Sequence, residues 1–297
     1  FDIRKNQLKL RKIETDINSI KLKSPLIKIE EKKNQFFIDG KVINDQQNFD
    51  INKLKPILGD LLSTVELEKI NFKSISTFSF NVNKNLKLND LKIETNLNLK
   101  NLKIVKNPLN LKTFLPNYTE QIKFKDHTIK IKLSKDRLGI KGEGDVYIGD
   151  ELDQLSYSII NSDGKTAFDT NLNIKNNPLI IDFLDYEKKK GDSSDILLKG
   201  IYKKNKELIF QTISITEKNN QILFKDLLLS KNLKIKDLDY IKLDYRNKND
   251  LLNKVELKRN KSNFSIKGIS FDATKLINSS MDDDESSTIF ENFNSKF

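Results

Sequence analysis

The sequence has no cysteine. Disulfide scaffolds and thiolate metal sites are therefore excluded. The absence fits an oxidising compartment such as a periplasm. There is one histidine, His127. It follows Lys125-Asp126 and precedes the alternating run Ile129–Leu133, so it reads as a surface turn residue. A catalytic or metal-binding imidazole needs partners that its neighbourhood does not supply. No apolar run reaches the roughly 18 residues of a helical membrane span. No Gly-x-Ser-x-Gly elbow and no Walker loop is present. The chain starts at Phe1 without a methionine or a charged leader, which suggests a piece of a longer protein.

Hydrophobic residues make up 37% of the 297 residues and charged residues 32%. That suits a sheet with one apolar face better than a thick core buried on both sides. The formal net charge is +11. Arginine occurs only at Arg4, Arg11, Arg137, Arg246 and Arg259, so lysine supplies nearly all the positive charge. Asp and Glu are interleaved with it almost everywhere, whereas a nucleic-acid footprint clusters its cations. The reading is a solvated lysine face and no nucleic-acid partner. Weak attraction to anionic lipid headgroups remains open, at about 1 kcal/mol per lysine.

Nothing else singles out a catalytic group. Gly142-Glu143-Gly144 reads as backbone room at a bend. Asp282-Asp283-Asp284-Glu285 lacks the alternation and central glycine of a calcium loop and reads as a solvated acidic run. No catalytic residue, metal or cofactor is expected, and the chain is not read as an enzyme.

What the sequence does have is alternation. Every second residue is apolar in Phe78, Phe80, Val82; in Ile129, Ile131, Leu133; in Ile213, Ile215; in Ile241, Leu243, Tyr245; and in Phe264, Ile266. Such a period places one face of a strand against a core. Polar turn formers such as Lys203-Lys204-Asn205 and Lys218-Asn219-Asn220 bound the runs, and the short links favour antiparallel hairpins. One octapeptide recurs. Glu94-Thr95-Asn96-Leu97-Asn98-Leu99-Lys100-Asn101 returns as Asp169-Thr170-Asn171-Leu172-Asn173-Ile174-Lys175-Asn176. Asn107-Pro108-Leu109 with Phe114-Leu115 follows the first copy, and Asn177-Pro178-Leu179 with Phe183-Leu184 follows the second. Phe49-Asp50 with Lys53-Leu54 is echoed by Phe271-Asp272 with Lys275-Leu276. Repetition of this kind marks one supersecondary unit used several times. Ile51, Leu54, Ile57, Leu58, Leu61, Leu62 and Val65 follow helical spacing, with Asp50 as N-cap. Shorter helical turns are expected near 178–186 and 271–279.

A strand of about seven residues spans roughly 23 Å, close to an extended acyl chain, and about 16–18 strands would extend on the order of 80 Å. The apolar face of such a sheet has two fates. It packs on a second sheet as a sandwich core, or it curls into a trough that leaves the lining open to ligands.

The segment Leu251–Leu257, then Phe264-Ser265-Ile266-Lys267-Gly268, then Phe271-Asp272 and a short helix with Leu276-Ile277, resembles a recurring element of the AsmA-like superfamily. It is closest to the YhdP/TamB type of Gram-negative bacteria. Asn177–Tyr245 is similar, with Asp182-Phe183-Leu184-Asp185-Tyr186 followed by short strands. The resemblance implies an inner-membrane anchor outside this chain, a periplasmic body made of a long curled β-sheet, and phospholipid as cargo in an apolar groove.

The resulting expectation is a mainly β fold, an elongated, curled antiparallel β-sheet groove of repeated units with short helices. Residues 1–48 form a β unit and 49–70 a helical element. Residues 71–277 form the repeated groove, with units near 71–115, 116–185 and 186–277, and 278–297 form a flexible acidic tail or linker. Candidate groove residues are Leu97, Leu99, Leu172, Ile174, Ile213, Ile215, Phe264 and Ile266. The function expected is passive, non-enzymatic phospholipid transfer between inner and outer membrane. The alternative is a structural or adhesin-like repetitive β-sandwich with no lipid groove.

Overall fold

The computed structural model describes residues 2–4, 7–17, 20–45, 48–49, 66–106, 111–203, 206–231, 234–261 and 263–281. The helically spaced stretch 50–65 and the acidic run Asp282–Glu285 lie outside the described residues, as do Asn107-Pro108-Leu109. The fold is mainly β, with one large antiparallel sheet and almost no helix. Chain contacts separate two units. One comprises Phe1–Leu109, Glu120–Tyr147 and Ile160–Asp163, and the other Asn110–Thr119, Ile148–Ile159 and Gly164–Phe297.

The first unit is a meander. Strands β1 (Asp2–Arg4), β2 (Gln7–Ile17), β3 (Ile20–Lys32) and β4 (Gln35–Asn44) pair in order. The short β5 (Asn48–Phe49) and β4 both pair with β6 (Glu66–Asn83), which pairs with β7 (Leu88–Lys106), and β7 with β8 (Ile122–Ser134). Strand β9 is Arg137–Ile148. Phe49 and Glu66–Ile70, the two ends of the expected helical element 49–70, are therefore strand.

His127 is not a surface turn residue. It lies within β8, opposite Leu99, and is 1% exposed. The polar doublet Lys125-Asp126 that suggests a turn is a local irregularity inside the strand. Asp126 has a φ of 50°, and its carboxylate is held 3.0 Å from Lys100 Nζ. A short polar side chain tolerates the left-handed region and leaves the strand able to continue. His127 then turns inward, edge-on to Phe124 at 5.4 Å between ring centres. Gly144 on β9 makes the room, because a Cβ there would sit 2.7 Å from His127 Cα.

The second unit is also a meander. Strand β10 is Glu151–Ser162. Strands β11 (Lys165–Ile174), β14 (Ser194–Lys203), β15 (Glu207–Glu217), β16 (Asn220–Ser230), β18 (Tyr240–Arg246), β19 (Leu252–Asn260) and β20 (Asn263–Ser270) pair antiparallel in that order. Strand β17 (Ile235–Asp237) lengthens the edge beside β16. Between β11 and β14 the chain inserts a two-stranded ladder, β12 (Leu179–Ile181) and β13 (Tyr186–Lys188), around the 3-10 turn Asp182–Leu184. After β20 comes helix α1 (Thr274–Met281), started by Asp272, whose Oδ1 accepts the Thr274 N–H at 3.1 Å.

Candidate functional site

The register of the second unit sets out its apolar face rung by rung. Leu172, Ile196, Ile215, Ile222, Leu243 and Val255 face one another across six strands. Two residues further along each strand from β14 to β20 come Leu198, Ile213, Phe224, Ile241, Leu257 and Ile266. Side chains alternate along a strand, so both rungs lie on the same face. The rung between them carries Ser214, Lys242, Glu256 and Lys267 to the other side.

The register of β14 against β15 shifts after Lys199, which faces Thr212, so that Gly200 faces Phe210. This bulge at Gln211 reverses the alternation on β15 and keeps Phe210 on the apolar face. Phe168 and Phe210 meet edge-on over Gly200, 5.7 Å between ring centres, and a Cβ on Gly200 would lie 2.7 Å from the Phe168 ring.

Burial along this face is graded. Toward one end of the strands Ile174 is fully buried, Ile222 is 1% exposed and Leu243 is 5% exposed. On the next rung Leu198, Ile213, Phe224, Ile241 and Leu257 are only partly buried, and Ile266 is 62% exposed. In a closed sandwich core these side chains would be sealed off.

The buried end is closed by the insertion. Tyr186 of β13 donates to Glu217 Oε2 at 2.6 Å, and Tyr245 of β18 donates to the Leu184 carbonyl at 2.6 Å. The two rings meet edge-on at 5.6 Å. Burial pushes both phenols well above their ordinary value, and in Tyr186 the Glu217 carboxylate adds to the rise. Lys188 is fully buried and donates to the carbonyls of Lys175 at 3.0 Å and Asn177 at 2.6 Å. Loss of solvation lowers its pKa, and the nearby carboxylates Asp153, Glu217 and Asp192 oppose that. Asp153 on β10 receives the backbone N–H groups of Lys175 and Asn176, each at 2.8 Å, and the Asn177 side-chain amide at 2.8 Å. The Asn177-Pro178-Leu179 motif is thus pinned where β11 ends.

Other segments continue this closed edge. The 3-10 turn Leu111–Thr113 precedes Phe114, whose carbonyl accepts the Ile180 N–H at 2.8 Å. Asn247 donates to Asp272 Oδ2 at 3.2 Å, and Lys275 of α1 reaches Asp182 at 3.9 Å. A 3-10 turn lies downstream of each octapeptide, Leu111–Thr113 after the first and Asp182–Leu184, following β12, after the second, and Leu115 and Leu184 are each 5% exposed.

Six of the eight sequence-derived candidates, Leu172, Ile174, Ile213, Ile215, Phe264 and Ile266, lie on this one face. Ile174 belongs to its sealed end, and Phe264 lies beside Arg259, 5.2 Å from guanidinium to ring centre. Leu97 and Leu99 belong to the first unit. They share a face of β7, opposite Ile129 and His127 on β8, with Leu97 partly buried and Leu99 4% exposed. The closing residues Asp153, Tyr186, Lys188, Glu217 and Tyr245 are not among the sequence-derived candidates, although Tyr186 and Lys188 follow closely on the Asn-Pro-Leu echo.

Among the described residues no cluster of three or more His, Cys, Asp or Glu side chains is placed to hold a metal ion. No helix among them is long and apolar enough to cross a membrane. No family model matches this chain, and no curated protein and no solved structure matches it either.

Proposed function

We propose that the apolar face of the second unit is a groove for lipid acyl chains, and that the chain is a non-enzymatic lipid-binding and transfer segment of the periplasm, tethered to the inner membrane by a part outside this sequence. The observation that carries this is the graded burial. An apolar face that continues across seven paired strands is sealed at one end by the Tyr186–Tyr245 cap and stays partly exposed over the rest. Exposed apolar area of that kind marks a binding surface. Each methylene laid against it contributes about 0.8 kcal/mol. A lining of similar aliphatic side chains from strand to strand gives no single tight site, so a lipid slides from one rung to the next. The partly buried Leu97 in the first unit is assigned the same role there.

Native mass spectrometry of the purified protein, with lipid extraction from the same sample, tests this reading. Phospholipid is expected in near-stoichiometric amounts. Leu172→Asp should lose it while the protein stays folded, because a partly exposed position lets the new carboxylate reach water. Ile174→Asp should unfold the protein, because it buries an unpaired charge. A lipid-free protein in which Leu172→Asp also unfolds would place the apolar face in a packed sandwich.

A further inference from the structure

The two ends of the strands in the second unit differ in charge. At the sealed end cations and carboxylates alternate. Lys218 pairs with Asp192 at 2.6 Å, Lys248 lies 3.9 Å from Glu187, and Arg246 reaches Asp250. At the open end the turns are lysine-rich. Lys203 and Lys206 flank the β14–β15 turn, Lys231 and Lys234 the β16–β17 turn, and Lys258 and Lys261 the β19–β20 turn. Three carboxylates of this end are engaged, Glu207 with Lys203, and Asp237 and Asp239 with Arg259. The ladder strings the first two turns together, since Lys203 faces Glu207, Glu207 faces Ser230, and the Ser230 N–H donates to the Lys234 carbonyl at 2.8 Å.

The apolar face runs out into this basic edge. Its last rung there is Tyr202, Leu208 and Leu229, with Tyr202 44% exposed. Apolar side chains giving way to ammonium groups match the order of a lipid monolayer, acyl chain then phosphate, and long lysine side chains span that boundary well. A nucleic-acid edge would favour arginine forks, and this edge has one arginine, held by two aspartates.

We infer that the lysine-bearing end of the second unit docks on the surface of a bilayer containing anionic phospholipid, with the phosphates at Lys206, Lys231 and Lys261 and the sealed end pointing away. The inference deepens the lipid-groove reading by naming the headgroup, and it rests on that reading for the fate of the acyl chain.

The test is co-sedimentation with vesicles of phosphatidylcholine alone and of phosphatidylcholine with about 30% phosphatidylglycerol, at about 100 mM salt. Two triple variants with equal net charge are compared. One carries Lys206→Glu, Lys231→Glu and Lys261→Glu at the open end. The other carries Lys175→Glu, Lys189→Glu and Lys190→Glu, exposed lysines at the sealed end. Binding only to the anionic vesicles is expected. A lysine near such a surface is worth about fivefold in affinity, so the first variant should lose about 100-fold or more while the second stays within about fivefold of the parent. Equal losses in both variants, equal binding to both vesicles, or a preference for duplex DNA over anionic vesicles would overturn the inference. Co-purified lipid is scored on the same preparations. Anionic vesicle binding without co-purified lipid supports the basic edge and removes the groove. Co-purified lipid with vesicle binding indifferent to headgroup charge removes the basic edge and leaves the groove.

Discussion

His127 shows how one residue ties local backbone to stability. Its Nε2–H donates to the Asp145 carbonyl at 2.9 Å, and its ring is sealed between Phe124 and Gly144. Burial lowers the imidazole pKa from the ordinary 6.5, and the Asp145 contact only partly offsets this. A group whose pKa is depressed by folding contributes stability above its unfolded value and loses it as the pH falls through the folded value. The first unit should therefore lose stability as the pH drops below about 6.5. Melting temperatures followed from about pH 7.5 to about pH 5.5 should fall more steeply for the parent than for His127→Gln. Parallel slopes would mean that the imidazole stays neutral for other reasons or titrates without cost. The sequence put His127 in a turn because a polar doublet before an apolar run is the ordinary turn signal. The left-handed Asp126 that allows the strand to continue leaves no distinct mark in composition.

At the scale of elements, the insertion β12–β13 acts as a plug held by polar contacts at its rim. Tyr186→Phe removes the 2.6 Å hydroxyl contact to Glu217 Oε2 and leaves Asn220 Nδ2 at 3.4 Å from the same oxygen. A hydrogen bond to a charged group contributes about 1.5–3 kcal/mol. The variant should be less stable by that amount in urea unfolding, with the rest of the β-signal retained. A change below about 0.5 kcal/mol would mean that Glu217 finds water there instead.

How far these elements were legible varied with their patterning. Strands such as Ile241–Tyr245 and Ile213–Ile215 alternate cleanly and place their own inner face. Ile196-Leu197-Leu198 and Ile222-Leu223-Phe224 are continuous apolar runs, and only pairing with neighbours assigns Leu197 and Leu223 to the opposite side. The bulge at Gln211 reverses parity in mid-strand, so Phe210 escapes any rule based on period two. The plug was legible only as an echo of Asn-Pro-Leu. Its buried Lys188, and the nearby Asp153 of β10, are charged residues that no hydropathy pattern places inside, and their burial follows from the carbonyls and amides left unpaired where β11 ends.

At the scale of the whole chain, both units are antiparallel meanders. In the second, one face is apolar, the other carries Lys242, Glu256 and Lys267 alongside Leu197 and Leu223, and two 3-10 turns lie at the closed edge. Parity and register place six of the eight candidate residues on a common face of the second unit, and exposure along that face rises away from its sealed end. The central claim is that acyl chains occupy this face. It is tested most directly by placing benzoylphenylalanine at Ile213, on the lining, and at Ser214, one residue away on the opposite side, and irradiating cells that produce the protein. Phospholipid crosslinked at Ile213 and absent at Ser214 is the predicted result. Equal labelling at both positions, or none at Ile213 in a folded protein, would contradict it.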